Sequence, residues 1–167
     1  MPHLYLLRHA KSSWDEPGLG DRDRPLSPRG RRAAERVGEH VRAEGIRPDL
    51  VLCSPAVRAR QTLARVRRGL GDPKVTFDET LYAADADRLL ARLRTVPADA
   101  EGVMVVGHNP GLQDLALELA AEGGDLRRLR GKLPTGALAT LTFEGTWQEL
   151  GPRRAKLVRF VVPRDLP

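Results

Sequence analysis

Short apolar runs alternate along this chain with longer segments in which apolar residues recur at helical spacing. The runs predict strands at residues 3–7, 50–53, 75–77, 103–106, 137–143 and 157–162. Strands that alternate with helices favour an α/β fold, with a mostly parallel central sheet and helices on both faces. The last two strands are expected to form an antiparallel pair, or one of them to lie at an edge.

Helix starts are marked by residues that can cap a helix and by prolines that fit its first turn. A cap followed by proline occurs at residues 27–28, 54–55 and 109–110, and Asp85 can cap a further helix. The helix that begins at residues 54–55 is expected to run to about Leu70. The alternation of strands and helices thus continues through most of the chain.

Two segments lack a regular pattern. Residues 11–26 are rich in Gly, Pro and Asp and predict a long loop, and residues 123–134 are basic and irregular. Long loops in compact domains are usually functional or mobile. For residues 11–26 we expect a mobile surface loop rather than a lid. The length of 167 residues suits one domain with one core, so residues 1–167 are expected to form a single three-layer domain.

Candidate chemistry lies at the ends of three predicted strands. Arg8 and His9 follow the first strand, Arg58 lies shortly after the second, and His108 and Asn109 follow the fourth. Open α/β sheets bind ligands outside the carboxyl ends of their strands. If these ends converge, one site holds two histidines and two arginines, with helix N-termini beside it.

Such a site suits a phosphoryl group. Guanidinium groups such as those of Arg8 and Arg58 match phosphoryl oxygens, and helix N-termini favour anions. Neutral imidazole is nucleophilic near pH 7, so His9 could accept the phosphoryl group while His108 stabilises charge in the transition state. The side chains supply the cations, and HExxH or paired CxxC spacings are absent, so we expect no metal and no other cofactor.

Composition restricts the class of protein. The chain has 41% hydrophobic and 30% charged residues, and Cys53 is the single cysteine, so no intramolecular disulfide can form. No apolar run suits a signal peptide or a membrane span, and a cytoplasmic location is expected. The net charge of +6 suits either an anionic substrate or a nucleic acid, but basic residues are spread along the chain without interleaved aromatics.

Three motifs resemble the histidine phosphatase (phosphoglycerate mutase-like) superfamily. They are residues 6–12 (LLRHAKS), 54–62 (SPAVRARQT) and 106–110 (VGHNP), and they occur in the family's order and spacing. The resemblance implies a phosphoglycerate mutase-like fold, with His9 as the phosphorylated nucleophile. It also implies a phosphate pocket completed by Arg8, Arg58 and His108.

Details of the first and third motifs are similar to the SixA-like phosphohistidine phosphatases. The chain departs from the commoner Arg-His-Gly pattern at Ala10, where little effect is expected unless the position needs a positive φ. Many relatives use a carboxylic acid as proton donor, and Glu79 lies where the family places it. Lys11 and Asn109 are further candidates for substrate contacts.

The sequence therefore predicts a phosphatase that works through a phosphohistidine on His9, with a phosphohistidine protein as its partner. A small phosphate ester is the alternative substrate. A hypothesis of another class is a non-catalytic phosphate-binding or RNA-binding module, suggested by the net charge of +6 and the basic residues 127–130. Neither a nucleic acid nor a membrane is expected as partner, and the oligomeric state stays open.

Overall fold

A seven-stranded sheet lies at the centre of the computed structural model, which describes residues 1–167. The strands are β1 His3–Arg8, β2 Leu50–Cys53, β3 Lys74–Phe77, β4 Gly102–Gly107, β5 Ala120–Glu122, β6 Leu138–Phe143 and β7 Ala155–Val161. The helices are α1 Pro28–Ala43, α2 Val57–Val66, α3 Ala86–Leu93, α4 Gly111–Leu119 and α5 Leu126–Gly131. No helix is long and apolar enough to cross a membrane.

The order of strands in the sheet is β3-β2-β4-β1-β6-β7-β5. Strands β1 to β4 run parallel to one another, and β5 is parallel to β7. Strand β6 is antiparallel to both β1 and β7. The expected α/β fold with a mostly parallel sheet is confirmed, and so is the antiparallel pairing of the last two predicted strands.

Both faces of the sheet are covered by helices. Residues Val103 and Val105 of β4 join a core cluster that includes residues of α3, α4 and α5. Residues Met104 and Val106 point the other way and pack with residues of α1 and α2. Because successive side chains of a strand alternate between faces, a strand buried on both sides is apolar throughout. The resulting three layers place the carboxyl ends of β1, β2 and β4 side by side.

Two of the predicted helix caps form as expected. The Ser27 side chain accepts a hydrogen bond from the backbone N–H of Gly30 at 3.0 Å, and Asp85 caps α3 in the same way. Ser54 does not cap α2, which begins two residues later than predicted with Ala56 at its N-cap. The Ser54 hydroxyl instead lies 2.7 Å from Nε2 of His108, so this residue belongs to the strand-end site.

Other boundaries also differ from the prediction. Helix α2 ends at Val66 and continues to Leu70 only as a 3-10 turn. Asn109 and Pro110 are joined by a cis peptide bond, and Pro110 rather than Asn109 is the N-cap of α4. The segment predicted to be irregular contains α5, which buries Leu126 and Leu129 against the core.

Candidate active site

The ends of β1, β2 and β4 bring most of the predicted site residues into one cavity of about 290 Å³. Arg8 is the last residue of β1, Arg58 lies in the first turn of α2, and His108 directly follows β4. Of the sequence-predicted residues, only Glu79 is missing from the lining. The ten residues that line the cavity are Arg8, His9, Lys11, Ser12, Trp14, Arg24, Arg58, His108, Asn109 and Thr135.

His9 is held by bonds on both its backbone and its ring. Its backbone N–H donates to the Gly107 carbonyl at 3.0 Å, which fixes it against the end of β4. Its Nδ1 lies 2.7 Å from the carbonyl oxygen of Ala10. A carbonyl oxygen can only accept, so Nδ1 carries the hydrogen and Nε2 keeps a free lone pair.

Burial is the largest of the effects that together lower the pKa of His9 to about 3; the nearby His108 and arginines act in the same direction, and the bond to Ala10 opposes them. The side chain is 7% exposed. His9 is therefore neutral at pH 7, the form in which imidazole acts as a nucleophile.

His108 faces His9, with 5.2 Å between the ring centroids. Its Nδ1 lies 3.5 Å from Nη2 of Arg58, a group that can only donate. The hydrogen of neutral His108 must then lie on Nε2, which donates to the Ser54 hydroxyl at 2.7 Å. Burial, followed by the charge of Arg58, lowers the pKa of His108 to about 4. An incoming dianion would favour the protonated form and make His108 a second donor.

Arg58 is almost fully buried and is oriented by Asp21. Its Nη1 donates to the backbone carbonyl of Asp21 at 2.6 Å, and its Nη2 donates to the Asp21 carboxylate at 3.0 Å. Thr62 adds a brace, because its hydroxyl donates to the Arg58 carbonyl and accepts from the backbone N–H of Ala10. The loop after β1 and the first turn of α2 are thereby fixed to each other.

Asp21 is a site residue that the sequence reasoning missed. Tyr82 donates its hydroxyl to the Asp21 carboxylate at 2.5 Å, and Arg24 donates to it at 3.2 Å. The bond from Tyr82, followed by that from Arg58, holds the pKa of Asp21 well below its usual range, so this carboxylate stays ionised. The Tyr82 ring also meets His108 edge-on at 5.7 Å. Asp21 thus positions Arg58 and is not a proton donor.

The loop of residues 11–26 forms a wall of the cavity, whereas the sequence favoured a mobile surface loop. Arg24 is 8% exposed, and its guanidinium lies 3.5 Å from the centre of the Trp14 ring. It also donates to the Ser12 hydroxyl at 2.7 Å. Arg24 adds a third arginine to the cavity, and no pattern in the sequence distinguished it from other loop arginines.

The cavity lining has four basic side chains, Lys11, Arg8, Arg24 and Arg58, and no carboxylate. Three arginines that converge on one cavity with no carboxylate in its lining indicate a site built for an acceptor-rich ligand. A tetrahedral oxyanion such as a phosphoryl group has that chemistry.

Arg8 and Asn109 share one anchor on the opposite side of the cavity. Both side chains donate to the carbonyl oxygen of Leu133, at 3.1 Å and 2.9 Å. Burial and the charge of Arg58 lower the pKa of Arg8 from its usual value. The shared carbonyl ties the end of β1 to the turn after β4.

Glu79 lies outside the cavity, in the 3-10 turn Glu79–Leu81. Its carboxylate accepts a hydrogen bond from Arg22 at 2.8 Å, and its side chain is 70% exposed. The bond from Arg22 lowers the pKa of Glu79, which favours the ionised form at neutral pH. In this geometry Glu79 is not placed to protonate a leaving group.

The two site histidines should make stability depend on pH. Their folded pKa values, about 3 for His9 and about 4 for His108, lie below the ordinary 6.5. Between pH 6.5 and 4 the unfolded chain therefore binds protons that the folded chain does not. The free energy of unfolding should be highest above pH 6.5 and fall with pH, by up to about 1.4 kcal/mol per unit for each histidine. Urea unfolding across this range measures the slope.

The double variant His9→Asn, His108→Asn is the matched comparison for that slope. It should lose stability more slowly between pH 6.5 and 4.5 than the parent protein. His40, whose pKa is also lowered by burial, leaves part of the slope in place. An unchanged slope in the double variant would show that these two histidines are not buried in the neutral form.

Sequence comparison places this site in a known family. The profile of the histidine phosphatase superfamily (branch 1) matches residues 4–88. An uncharacterized protein of Mycobacterium tuberculosis is 40% identical over 162 residues, which cover 95% of this chain and 100% of the relative. An uncharacterized protein of Mycobacterium leprae is 37% identical over 164 residues, which cover 95% of this chain and 100% of the relative.

Solved structures agree with the sequence match. A protein of Nakamurella multipartitia, provisionally named phosphohistidine phosphatase SixA, superposes with a TM-score of 0.84 at 35% identity, over 97% of this chain and 96% of that one. The corresponding protein of Agrobacterium tumefaciens gives 0.83 at 31% identity, over 98% and 99% of the two chains. The fold, the strand-end cavity and these matches together show that the chain belongs to the histidine phosphatase superfamily and is similar to its SixA-like members.

Proposed function

We propose that this protein is a phosphohistidine phosphatase that works through a phosphoryl group carried on His9. One observation carries the proposal: neutral His9, with Nε2 free, lines a cavity that three arginines also line and that contains no carboxylate. A nucleophile beside oriented donors is the arrangement that phosphoryl transfer requires. The solved relatives named SixA support the same substrate class.

In the first step Nε2 of His9 attacks the phosphorus of a phosphohistidine substrate. A new N–P bond forms as the N–P bond of the substrate breaks, and the released imidazole takes up a proton from solvent water. Arg8 and Arg58 bind the equatorial oxygens, and His108 becomes a donor as negative charge approaches. The His9 ring becomes cationic on bond formation, and the Ala10 carbonyl that accepts from Nδ1 stabilises that charge.

In the second step water attacks the phosphorus of phospho-His9. The N–P bond on His9 breaks, orthophosphate leaves with the oxygen of the water, and His9 returns to its neutral form. The same arginines bind the phosphoryl oxygens in both steps, so one set of donors serves formation and breakdown of the intermediate.

The absence of a carboxylate in the cavity lining favours phosphohistidine over a phosphate ester. Cleavage of an alkyl ester releases an alkoxide, which needs a proton from a general acid. Imidazole leaves readily and needs less help. Asp21, the carboxylate nearest to Arg58, is bonded to Tyr82 and Arg58 and stays ionised.

A pair of peptides with one sequence, carrying either phosphohistidine or phosphoserine, tests the substrate class. We expect kcat/KM for the phosphohistidine peptide to be higher by a factor of about 100 or more, the usual contribution of general acid catalysis. Release of orthophosphate at pH 7.5 measures both rates, with the spontaneous loss from phosphohistidine subtracted. Equal rates on the two peptides would contradict the proposal.

A small phosphate ester is the second candidate, because a cavity of about 290 Å³ walled by Trp14 and Arg24 suits a compact ligand. In that case p-nitrophenyl phosphate, whose leaving group needs no proton, and small alkyl phosphates should be hydrolysed at similar rates. Under the favoured proposal, only p-nitrophenyl phosphate should be turned over measurably. The comparison separates the two candidates with no change to the protein.

A further inference from the structure

A second and larger groove, of about 510 Å³, meets the catalytic cavity at Lys11 and Thr135, which line both. One wall is the exposed face of α1, and the others are the end of α5 and the C-terminal turn Pro163–Asp165. None of the reaction steps at His9 uses this groove. A molecule whose phosphoryl group enters the cavity could extend into the groove without a break.

The groove is strongly basic. Its lining contains no carboxylate, and its basic side chains are Lys11, Arg29, Arg36, Arg128, Lys132 and Arg164. Of these, Arg128 alone forms an ion pair, with Asp165 at 2.5 Å. The other five form no ion pair, so most of the positive charge along the groove is not neutralised by a bound carboxylate. In the sequence only Arg128 and Lys132 lie in a segment noted as basic, residues 123–134, and the other four are distant from it.

The distribution of these cations indicates the size of the ligand. They come from four separate segments of the chain and are all exposed, whereas the phosphoryl cavity is lined by arginines that are mostly buried. A second phosphate of a small molecule would be bound by donors that converge on one point. Exposed cations spread over a long groove instead match an extended surface of negative charge.

A nucleic acid is less well matched than a protein. Single strands bind through aromatic side chains that stack on bases. The only aromatic residue in the groove, Phe160, is 4% exposed and is covered by the guanidinium of Arg128 at 5.3 Å. The groove therefore offers charge without a stacking surface.

We infer that this basic groove binds an acidic segment of the protein that carries the phosphohistidine, next to the phosphorylated residue. The inference rests on the proposed phosphohistidine phosphatase activity and names the recognition that would accompany it. Asp and Glu side chains that flank the phosphohistidine contact the exposed arginines while the phosphoryl group reaches His9. Exposed charges of this kind act mainly on association and are screened by salt.

Two phosphohistidine peptides test the inference, one flanked by a run of glutamates and the other by glutamines. We expect the acidic peptide to have a KM lower by about 10-fold at low ionic strength, with kcat unchanged and the advantage lost in high salt. The variant Arg36→Glu, Arg164→Glu should abolish that advantage and leave the glutamine peptide unaffected. Neither residue lines the catalytic cavity.

Arg67→Glu, Arg68→Glu is the matched control, with the same change in net charge. Both arginines are exposed in the 3-10 turn after α2 and line neither groove nor cavity. This control should keep the preference for the acidic peptide. Equal loss in both variants would show a general charge effect and overturn the inference.

The remaining outcomes separate this inference from the proposed function. Hydrolysis of both peptides with equal KM would contradict binding of an acidic segment in the groove, but would still support the proposed phosphatase activity. Hydrolysis of neither peptide would overturn the proposed function. Inhibition by a single-stranded RNA can be compared with inhibition by an unphosphorylated glutamate peptide of equal charge. Stronger inhibition by the RNA, lost in Arg36→Glu, Arg164→Glu, would show that the groove binds nucleic acid. That result would contradict an acidic protein segment as its ligand.

Discussion

Replacing His9 with asparagine should lower kcat/KM on a phosphohistidine peptide by at least about 1,000-fold, as expected when a covalent nucleophile is lost. The Asn side chain can still donate an N–H to the Ala10 carbonyl, as Nδ1 of His9 does at 2.7 Å. It has no free nitrogen lone pair where Nε2 lies, so no N–P bond can form. Release of orthophosphate measures the rate.

The intermediate gives a second measurement on the same variant. Phosphohistidine is stable in alkali and labile in acid, so alkaline quenching with labelled substrate should trap a phosphoryl group on the parent protein and none on His9→Asn. His40→Asn is the matched control, because His40 lies near the C-terminal end of α1 and does not line the cavity. A label retained by His9→Asn would show that a residue other than His9 is the nucleophile.

The sequence located this site because its main residues follow buried strands directly. Arg8, His9 and His108 lie at the ends of β1 and β4, where apolar runs give strong signals and parallel pairing brings strand ends together. The cap signal at Ser27 is equally local, since the bond from Gly30 spans three residues. The strand ends and the caps at Ser27 and Asp85 were therefore predicted from neighbours in the sequence, whereas the caps expected at Ser54 and Asn109 did not form.

Contacts between distant segments account for what the sequence did not predict. Asp21 meets Arg58 and Tyr82 across separations of 37 and 61 residues, and no periodicity marks such a pair. Ser54 carries a strong cap pattern, but its hydroxyl lies against His108 and the helix starts later. At Ser54 the local preference for a helix cap is overridden, because its hydroxyl is used in the site.

The basic groove also could not be predicted from the sequence, because it too depends on contacts between distant segments. The number of arginines is known from the sequence, but their grouping in one groove is not. It depends on α1, α5 and the C-terminal turn, which come together only in the folded chain. Helix α5 itself was missed, since its buried face consists of only Leu126 and Leu129 within a run of arginines. Six basic residues that come from separate segments thus line one groove beside the catalytic cavity.

Arg58→Lys should lower kcat/KM by about 100- to 1,000-fold, the usual cost of removing one oriented donor from a transition state. The guanidinium of Arg58 donates to the backbone and carboxylate of Asp21 and reaches His108 at the same time. A lysine ammonium is a single point of charge and cannot span these partners. The overall charge is unchanged, so the effect isolates geometry. Inhibition by orthophosphate should weaken in parallel.

Arg60→Lys is the control on the same helix, because the Arg60 side chain is exposed and lies over the Phe77 ring outside the cavity. It should keep kcat/KM and phosphate inhibition within about twofold, as surface substitutions usually do. The brace from Thr62 uses the backbone carbonyl of residue 58, so it survives in Arg58→Lys, and thermal unfolding should show a folded protein. Full activity of Arg58→Lys would mean that positive charge alone serves the phosphoryl group, and that the contact with Asp21 plays no part in catalysis.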